Sequence, residues 1–229
     1  MRKSLSRFGM SVLLLGPSLA LAGAILQGTV SSPQGSLGGA NAIQNAGNQS
    51  GLSSSYTSGV TDFDTYVLTA THDGAGGNNS GFANAKGLPQ QFTVDLGSVF
   101  TVDALAFWST DNNGSVTQFQ LFSDTDADYA DGGLTLLTTI TTVRSADGSA
   151  SPAQVFDFPA TSSEFFQLNV LKFADPVNVT LNAGIGELAF RSAGPQPVPE
   201  PGTLALLGLA LTGLVTARGL SPRRRSAQR

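Results

Sequence analysis

Gln91-Phe92-Thr93-Val94-Asp95-Leu96-Gly97 alternates apolar and polar residues and places Phe92, Val94 and Leu96 on one side of an extended chain. Successive side chains of a strand point to opposite faces, so this period of two predicts a strand with one buried face. Gly97-Ser98 punctuates it. Val102 to Trp108 follows and is apolar enough to read as a central strand buried on both sides. Outward from this pair the signals recur. Asp111-Asn112-Asn113-Gly114 reads as a turn whose Asn-Gly favours positive φ. Thr117 to Leu121 alternates again, Leu134 to Val143 is dominated by β-branched residues, and Asp147-Gly148 marks another turn. Val155 to Phe158, Phe165 to Leu171 and Glu187 to Phe190 read as further strands, and upstream Thr65-Tyr66-Val67-Leu68-Thr69 and Ala24 to Val30 are short candidates. About eight strands result, with no sustained helical periodicity outside the termini. The expected fold is all-β: a single β-sandwich of jelly-roll type over 59–192, between an N-terminal signal helix and a short C-terminal transmembrane helix. Phe92, Val94, Trp108, Phe119, Leu121, Phe166 and Leu168 are expected between its two sheets. Residues 23–58 are poor in large apolar side chains and read as a loosely structured lead-in.

Composition agrees with strands joined by turns. Gly, Ser, Thr and Asn are abundant, and 13 of the 14 phenylalanines follow the first 22 residues. Cysteine is absent, so an exported domain of this kind must be held by its core and not by disulfides. The net charge of −4 hides an asymmetry. Eight of the 12 basic residues lie in the two terminal segments. Only Lys86, Arg144, Lys172 and Arg191 remain against all 16 acids, which gives −12 between Gly23 and Glu200. Such a surface repels nucleic acid and anionic lipid, favours solubility, and suits divalent cations.

The ends carry transport signals. Met1-Arg2-Lys3-Ser4-Leu5-Ser6-Arg7 is cationic, Met10 to Leu21 is apolar, and Ala20-Leu21-Ala22 offers small residues at Ala20 and Ala22 for cleavage. That is the pattern of a secretory signal peptide over 1–22, read by the Sec translocon, with no twin-arginine pair. An uncleaved anchor is the competing reading, but the apolar run is short of the ~20 residues a span needs. At the other end Pro195-Gln196-Pro197-Val198-Pro199-Glu200-Pro201-Gly202 forms a proline-rich linker over 193–202 that cannot be helical. Thr203 to Ala217 is then apolar on every face of a helix. Such a helix is ~22 Å long, short of the ~30 Å hydrocarbon core, and suits a span held briefly in the inner membrane. Arg218, Arg223, Arg224 and Arg225 close the chain as a stop-transfer cluster in a basic cytoplasmic tail over 218–229. Cations stay inside, so everything before the span lies outside, the topology the N-terminal signal also demands.

Val198-Pro199-Glu200-Pro201, a short apolar helix and a terminal arginine cluster resemble the PEP-CTERM sorting domain of Gram-negative bacteria. The resemblance implies recognition near the Pro-Glu-Pro motif by an exosortase, a membrane cysteine protease or transpeptidase. The body of the chain is similar to discoidin-type, or coagulation factor 5/8 C-type, galactose-binding-like sandwiches. Phe92 to Gly97, Val102 to Trp108, Phe119 to Ser123, Phe166-Gln167-Leu168 and Gly186-Glu187-Leu188 carry that likeness, in the family's order. The terminal cysteine pair and the early tryptophan of many extracellular members are missing. The likeness implies a module whose loops at one end take sugars or calcium.

Catalytic chemistry finds little support. His72 is the only histidine, and no Gly-x-Ser-x-Gly elbow accompanies it, so it reads as a hydrogen-bonded loop residue and not as a base. Zinc is poorly served by one histidine and no cysteine. The suggestive constellation is Asp124, Asp126, Asp128 and Asp131, whose alternate carboxylates could converge on Ca²⁺, although no EF-hand is present and a solvated acidic loop is the plainer reading. Asp62 and Asp64, with His72 and Asp73, form a second candidate. Ca²⁺ is the one cofactor the sequence suggests, and none is certain. The expected function is a non-enzymatic, exosortase-sorted protein of the cell envelope or extracellular matrix that binds glycan, with exopolysaccharide as partner and no nucleic acid. A secreted glycan-active enzyme needs a carboxylate pair ~5–9 Å apart. A matrix protein without a specific ligand is the third reading.

Overall fold

The alternation at Phe92, Val94 and Leu96 belongs to a longer strand than the sequence suggests. In the computed structural model the described residues are 23–73, 79–129, 132–175 and 181–194, all within the unit Ala20–Gln196. In chain order they form β1 (Ile25–Leu26), β2 (Thr29–Ser31), α1 (Phe63–Val67), β3 (Thr71–His72), β4 (Gly81–Phe82), β5 (Gln90–Trp108), β6 (Val116–Asp124), β7 (Thr135–Thr141), β8 (Ser151–Phe173), β9 (Gly184–Ile185) and β10 (Glu187–Ser192). The expected signal peptide, Pro-Glu-Pro motif, membrane span and arginine cluster lie outside the described residues. Among those described, no helix is long and apolar enough to cross a membrane.

One continuous sheet supplies both layers of a sandwich. β5 and β8 are antiparallel along nearly their whole length, with a register break between Asp95 and Phe100. Gly97 stands in that break at φ 77°, a left-handed backbone that glycine adopts without a side-chain clash. Before the break, β5 is flanked by β2 and by the C-terminal part of β8, which continues to β6 and β7. After it, β5 is flanked by β10, which carries β1 at its edge. The two layers face each other through aromatic pairs on strands that are not neighbours. Phe166 and Phe190 have ring centroids 4.6 Å apart, and Phe107 stacks on Phe119 at 5.6 Å. Phe92, Val94, Phe119, Leu121, Phe166 and Leu168 are buried in this core, as the alternation requires. β4 and β9 form a separate two-stranded sheet.

Trp108 departs from the expectation. It is fully buried, but on the outer face of the second layer, in a second cluster with Phe63, Tyr56, Tyr66, Ile25, Ala106 and Ala189. Consecutive residues of β5 point to opposite faces, so Phe107 enters the main core and Trp108 must leave it. What covers Trp108 is α1, where the sequence suggests a strand over Thr65–Thr69. Local chemistry explains the helix. The Asp62 side chain caps it by accepting the Thr65 N–H at 2.8 Å. Phe63, Tyr66 and Val67 then fall on one buried face. Arg191, next on the same outer face, donates to Asp103 at 2.8 Å, Asp157 at 2.8 Å and Asp64 at 3.2 Å. Its guanidinium lies 5.7 Å from the Phe63 ring centroid. The Asp103 hydrogen bond above all pushes the Arg191 pKa further up.

Three more expectations are corrected. Val155–Phe158 and Phe165–Leu171 are one strand: β8 runs through both, with Pro159 at the second register shift, between the pairs Asp157–Ala104 and Thr161–Val102. Neither Asn113 nor Gly114 has positive φ. Gly114 is required instead by close approach, since a Cβ there would stand 2.3 Å from the Asn182 carbonyl oxygen. Residues 23–58 are not a loose lead-in: Ile25, Leu26, Val30, Ile43, Ala46 and Tyr56 are buried. The start of this segment is zipped to the end of the domain. Gly23 N–H donates to Ser192 O at 2.9 Å, Ser192 N–H to Ala24 O at 2.9 Å, and Ala24 N–H to Ser192 Oγ at 3.0 Å.

Candidate functional site

The turn after β5, the loop before β9 and the strand β4 meet in a groove of about 360 Å³. Leu37, Phe82 and Leu181 give it an apolar floor, and Asn112, Asn113 and Asn182 rim it with amides. Backbone contacts fix these parts. Gly184 N–H donates to Gly114 O at 2.9 Å, and Gly114 N–H to Asn112 Oδ1 at 2.9 Å. Asn182 Nδ2 donates to Ala83 O at 2.7 Å, and Leu37 N–H to Phe82 O at 3.1 Å. Buried Gln90 staples the loop from below: its Oε1 accepts from Ala183 N–H at 2.6 Å and its Nε2 donates to Leu181 O at 3.0 Å. Asn113 is exposed, while Phe82 is mostly covered. A preformed apolar floor with fixed amide donors and acceptors matches one face of a sugar ring and its hydroxyls. The sequence marks Asn112-Asn113-Gly114 only as a turn, and nothing local joins it to Phe82 or Asn182.

The residues expected to carry metal chemistry have other roles. Asp124 is buried and accepts the Thr125 N–H at 2.7 Å, and Asp126 accepts the Asp128 N–H at 2.8 Å. The Asp126 contact, two residues on, is a turn-capping one. Asp131 lies outside the described residues. Asp62 caps α1 and Asp64 binds Arg191. His72 is on a strand, not in a loop, and is fully buried, with Nδ1 2.9 Å from Asp73 O. Among the described residues no three His, Asp or Glu side chains are grouped to hold an ion.

The buried Glu187 has no counterpart in the expectations beyond its place in the Gly186-Glu187-Leu188 landmark. It opens β10 opposite Trp108 and is fully buried. Oε2 accepts the Gln49 N–H at 3.0 Å, while Oε1 has no partner among the described residues. Burial pushes its pKa well above the usual carboxylate range, and the Gln49 hydrogen bond opposes this. Burial, then Glu187 itself, pushes the Tyr56 hydroxyl up as well. A folded-state pKa above the unfolded one gives stability that is complete below the unfolded value and is lost as pH rises through the folded value. In EDTA, so that no cation contributes, Glu187→Gln should therefore unfold at higher denaturant concentration than the wild type at pH 8. The advantage should vanish near pH 4. Parallel midpoint-versus-pH curves for the two proteins would show that Glu187 does not carry this dependence.

Comparison with known proteins separates the two ends of the argument. Residues 197–224 match the family model of the PEP-CTERM protein-sorting motif. The chain carries this motif, which marks an exported, membrane-anchored precursor for processing by exosortase. No curated protein sequence matches the chain. The sandwich is similar to solved carbohydrate-binding modules. One is the third family 32 module of a family 31 glycoside hydrolase from Clostridium perfringens, with 14% identity, a TM-score of 0.46, and 72% of this chain and 91% of that one covered. Another is the family 32 module of C. perfringens NanJ, solved with galactose, with 17% identity, a TM-score of 0.41 and coverage of 72% and 98%. A third is a chitosan-binding module of a chitosanase/glucanase from a Paenibacillus species, with 17% identity, a TM-score of 0.45 and coverage of 73% and 96%.

Proposed function

We propose that the mature protein is a non-enzymatic glycan-binding module of the cell envelope or extracellular matrix, released there by exosortase. The observation that carries this reading is the groove of Leu37, Phe82 and Leu181 rimmed by Asn112, Asn113 and Asn182. Among the described residues that line it there is no carboxylate to serve as acid or base in cleaving a sugar. Two other grooves have, among the described residues, one carboxylate each, Asp95 in one and Asp128 in the other. None of the three offers the pair that glycoside hydrolysis needs, which favours a binder over an enzyme.

The test is binding of the folded domain to a panel of neutral, amino and uronate oligosaccharides by calorimetry. Asn113 is exposed, so Asn113→Ala should fold normally and weaken binding about 3- to 10-fold, the value of one neutral hydrogen bond. Leu37→Asp places a charge on the floor and should abolish it. Equal affinity in both variants would move the sugar elsewhere, and failure of the wild type on every sugar would end the reading.

A further inference from the structure

A second groove, of about 390 Å³, shares no residue with the first. It lies on the outward side of the first layer, where Thr93 and Gln167 are directly paired across β5 and β8. Phe92, Val94, Phe166 and Leu168 point into the core, so Thr93 and Gln167 point away from it. They are nevertheless only 5% and 1% exposed, because loops fold over them. Ser31 and Gln91 continue this polar floor, and Tyr129 and Asp128 form a wall. Ser31 Oγ lies 2.6 Å from Thr93 Oγ1, and Tyr129 lines the groove beside them. The Tyr129 ring is held edge-on against Phe165, with centroids 6.3 Å apart and an interplanar angle of 89°.

A line of hydroxyls and amides beside one aromatic wall satisfies the hydroxyls of a sugar and gives its C–H face an apolar surface. The charges beside it are of one sign. Asp128 lines the groove, and Asp95, Asp124 and Glu164 act on Tyr129. Burial first, and then these carboxylates, push the Tyr129 hydroxyl up to about 12. None of the four cations of the domain lines the groove.

We propose that this groove is a second carbohydrate site, selective for neutral or amino sugars against uronates. One domain then holds two glycan chains and cross-links them; this rests on the reading of the first groove as a sugar site. Bivalence converts two weak sites into strong retention in a polymer network without any new contact.

Stoichiometry measured by calorimetry on the folded domain tests it, with neutral hexose, glucosamine and uronate oligosaccharides as probes. The wild type should bind two equivalents of a neutral or amino probe. Tyr129→Ala should bind one, with the lost site weakened about tenfold or more. Tyr129→Phe keeps the ring, guards against a folding defect, and should weaken the site by less. Asn113→Ala with Leu37→Asp should leave the Tyr129 site alone. A long neutral polysaccharide should turn turbid with the wild type and stay clear with either single-site protein. One equivalent in the wild type, unchanged by Tyr129→Ala, overturns the second site and leaves the first standing. Saturation of the Tyr129-dependent site by uronate overturns the selectivity. Absence of binding by every probe overturns both sites together.

Discussion

Trp108→Ala should lower the stability of the domain by ~3–5 kcal/mol, the cost of emptying a fully buried aromatic site. At this size that is roughly a 10 °C fall in melting temperature, at about 2–4 °C per kcal/mol. The side chain has no exposed surface and lies edge-on to Tyr66 at 6.4 Å, which itself lies edge-on to Tyr56 at 5.1 Å. The indole Nε1–H donates to Ala70 O at 3.0 Å, so truncation also orphans a buried carbonyl. Its neighbours on β5 and β10 are Ala104, Ala106 and Ala189, which are too small to collapse into the space. At the low end of the usual ~5–15 kcal/mol range such a loss brings a domain close to unfolding. Trp108→Phe, which keeps most of the ring but not the donor, should fall between the two. Thermal and urea unfolding followed by circular dichroism decide the matter. A Trp108→Ala midpoint within about 1 kcal/mol of the wild type would mean that α1 and its cluster do not seal this face.

Processing should be all or none. In a host with an exosortase, the intact mass of the native protein should lack Arg223 to Arg229. Prolines at 197, 199 and 201 stand where the sequence is expected to be non-helical, the kind of segment a protease can reach. The apolar run behind them is expected from its length to be a weak span. Pro199→Ala with Glu200→Ala should leave the tail attached, and deletion of Arg223, Arg224 and Arg225 should impair retention before cleavage. Native protein that still carries its arginine tail beside an active exosortase would rule this out.

The main core was legible because its signal is local. Phe92, Val94 and Leu96, Phe119 and Leu121, Phe166 and Leu168 each declare a buried face within five residues. α1 was not, since Thr65, Val67 and Thr69 favour strands intrinsically while Asp62 and the spacing of Phe63, Tyr66 and Val67 favour a helix. Tertiary burial against Trp108 settles that contest, and composition cannot foresee it. Both grooves were invisible for a different reason. Leu37, Phe82, Asn113 and Asn182 meet only because β4 pairs with β9, and Ser31, Thr93, Tyr129 and Gln167 only because β2 and β8 flank β5. The acidic loop was legible, and through Asp128 it borders the second proposed groove. Its informative residue is Tyr129, which charge patterning passes over.

The bond between Ala24 and Ser192 spans 168 positions of sequence, and it sets an order of events during export. A chain threaded with its N-terminus leading delivers Ile25 and Leu26 outside first, yet among the described residues β1 has no strand partner except β10. The second layer cannot close on its edge until Arg191 and Phe190 have crossed as well, so folding is coupled to the completion of transport. Until then the chain stays pliable enough to be threaded. In the sequence the sorting segment, from Pro197, follows Ser192 by only a few residues.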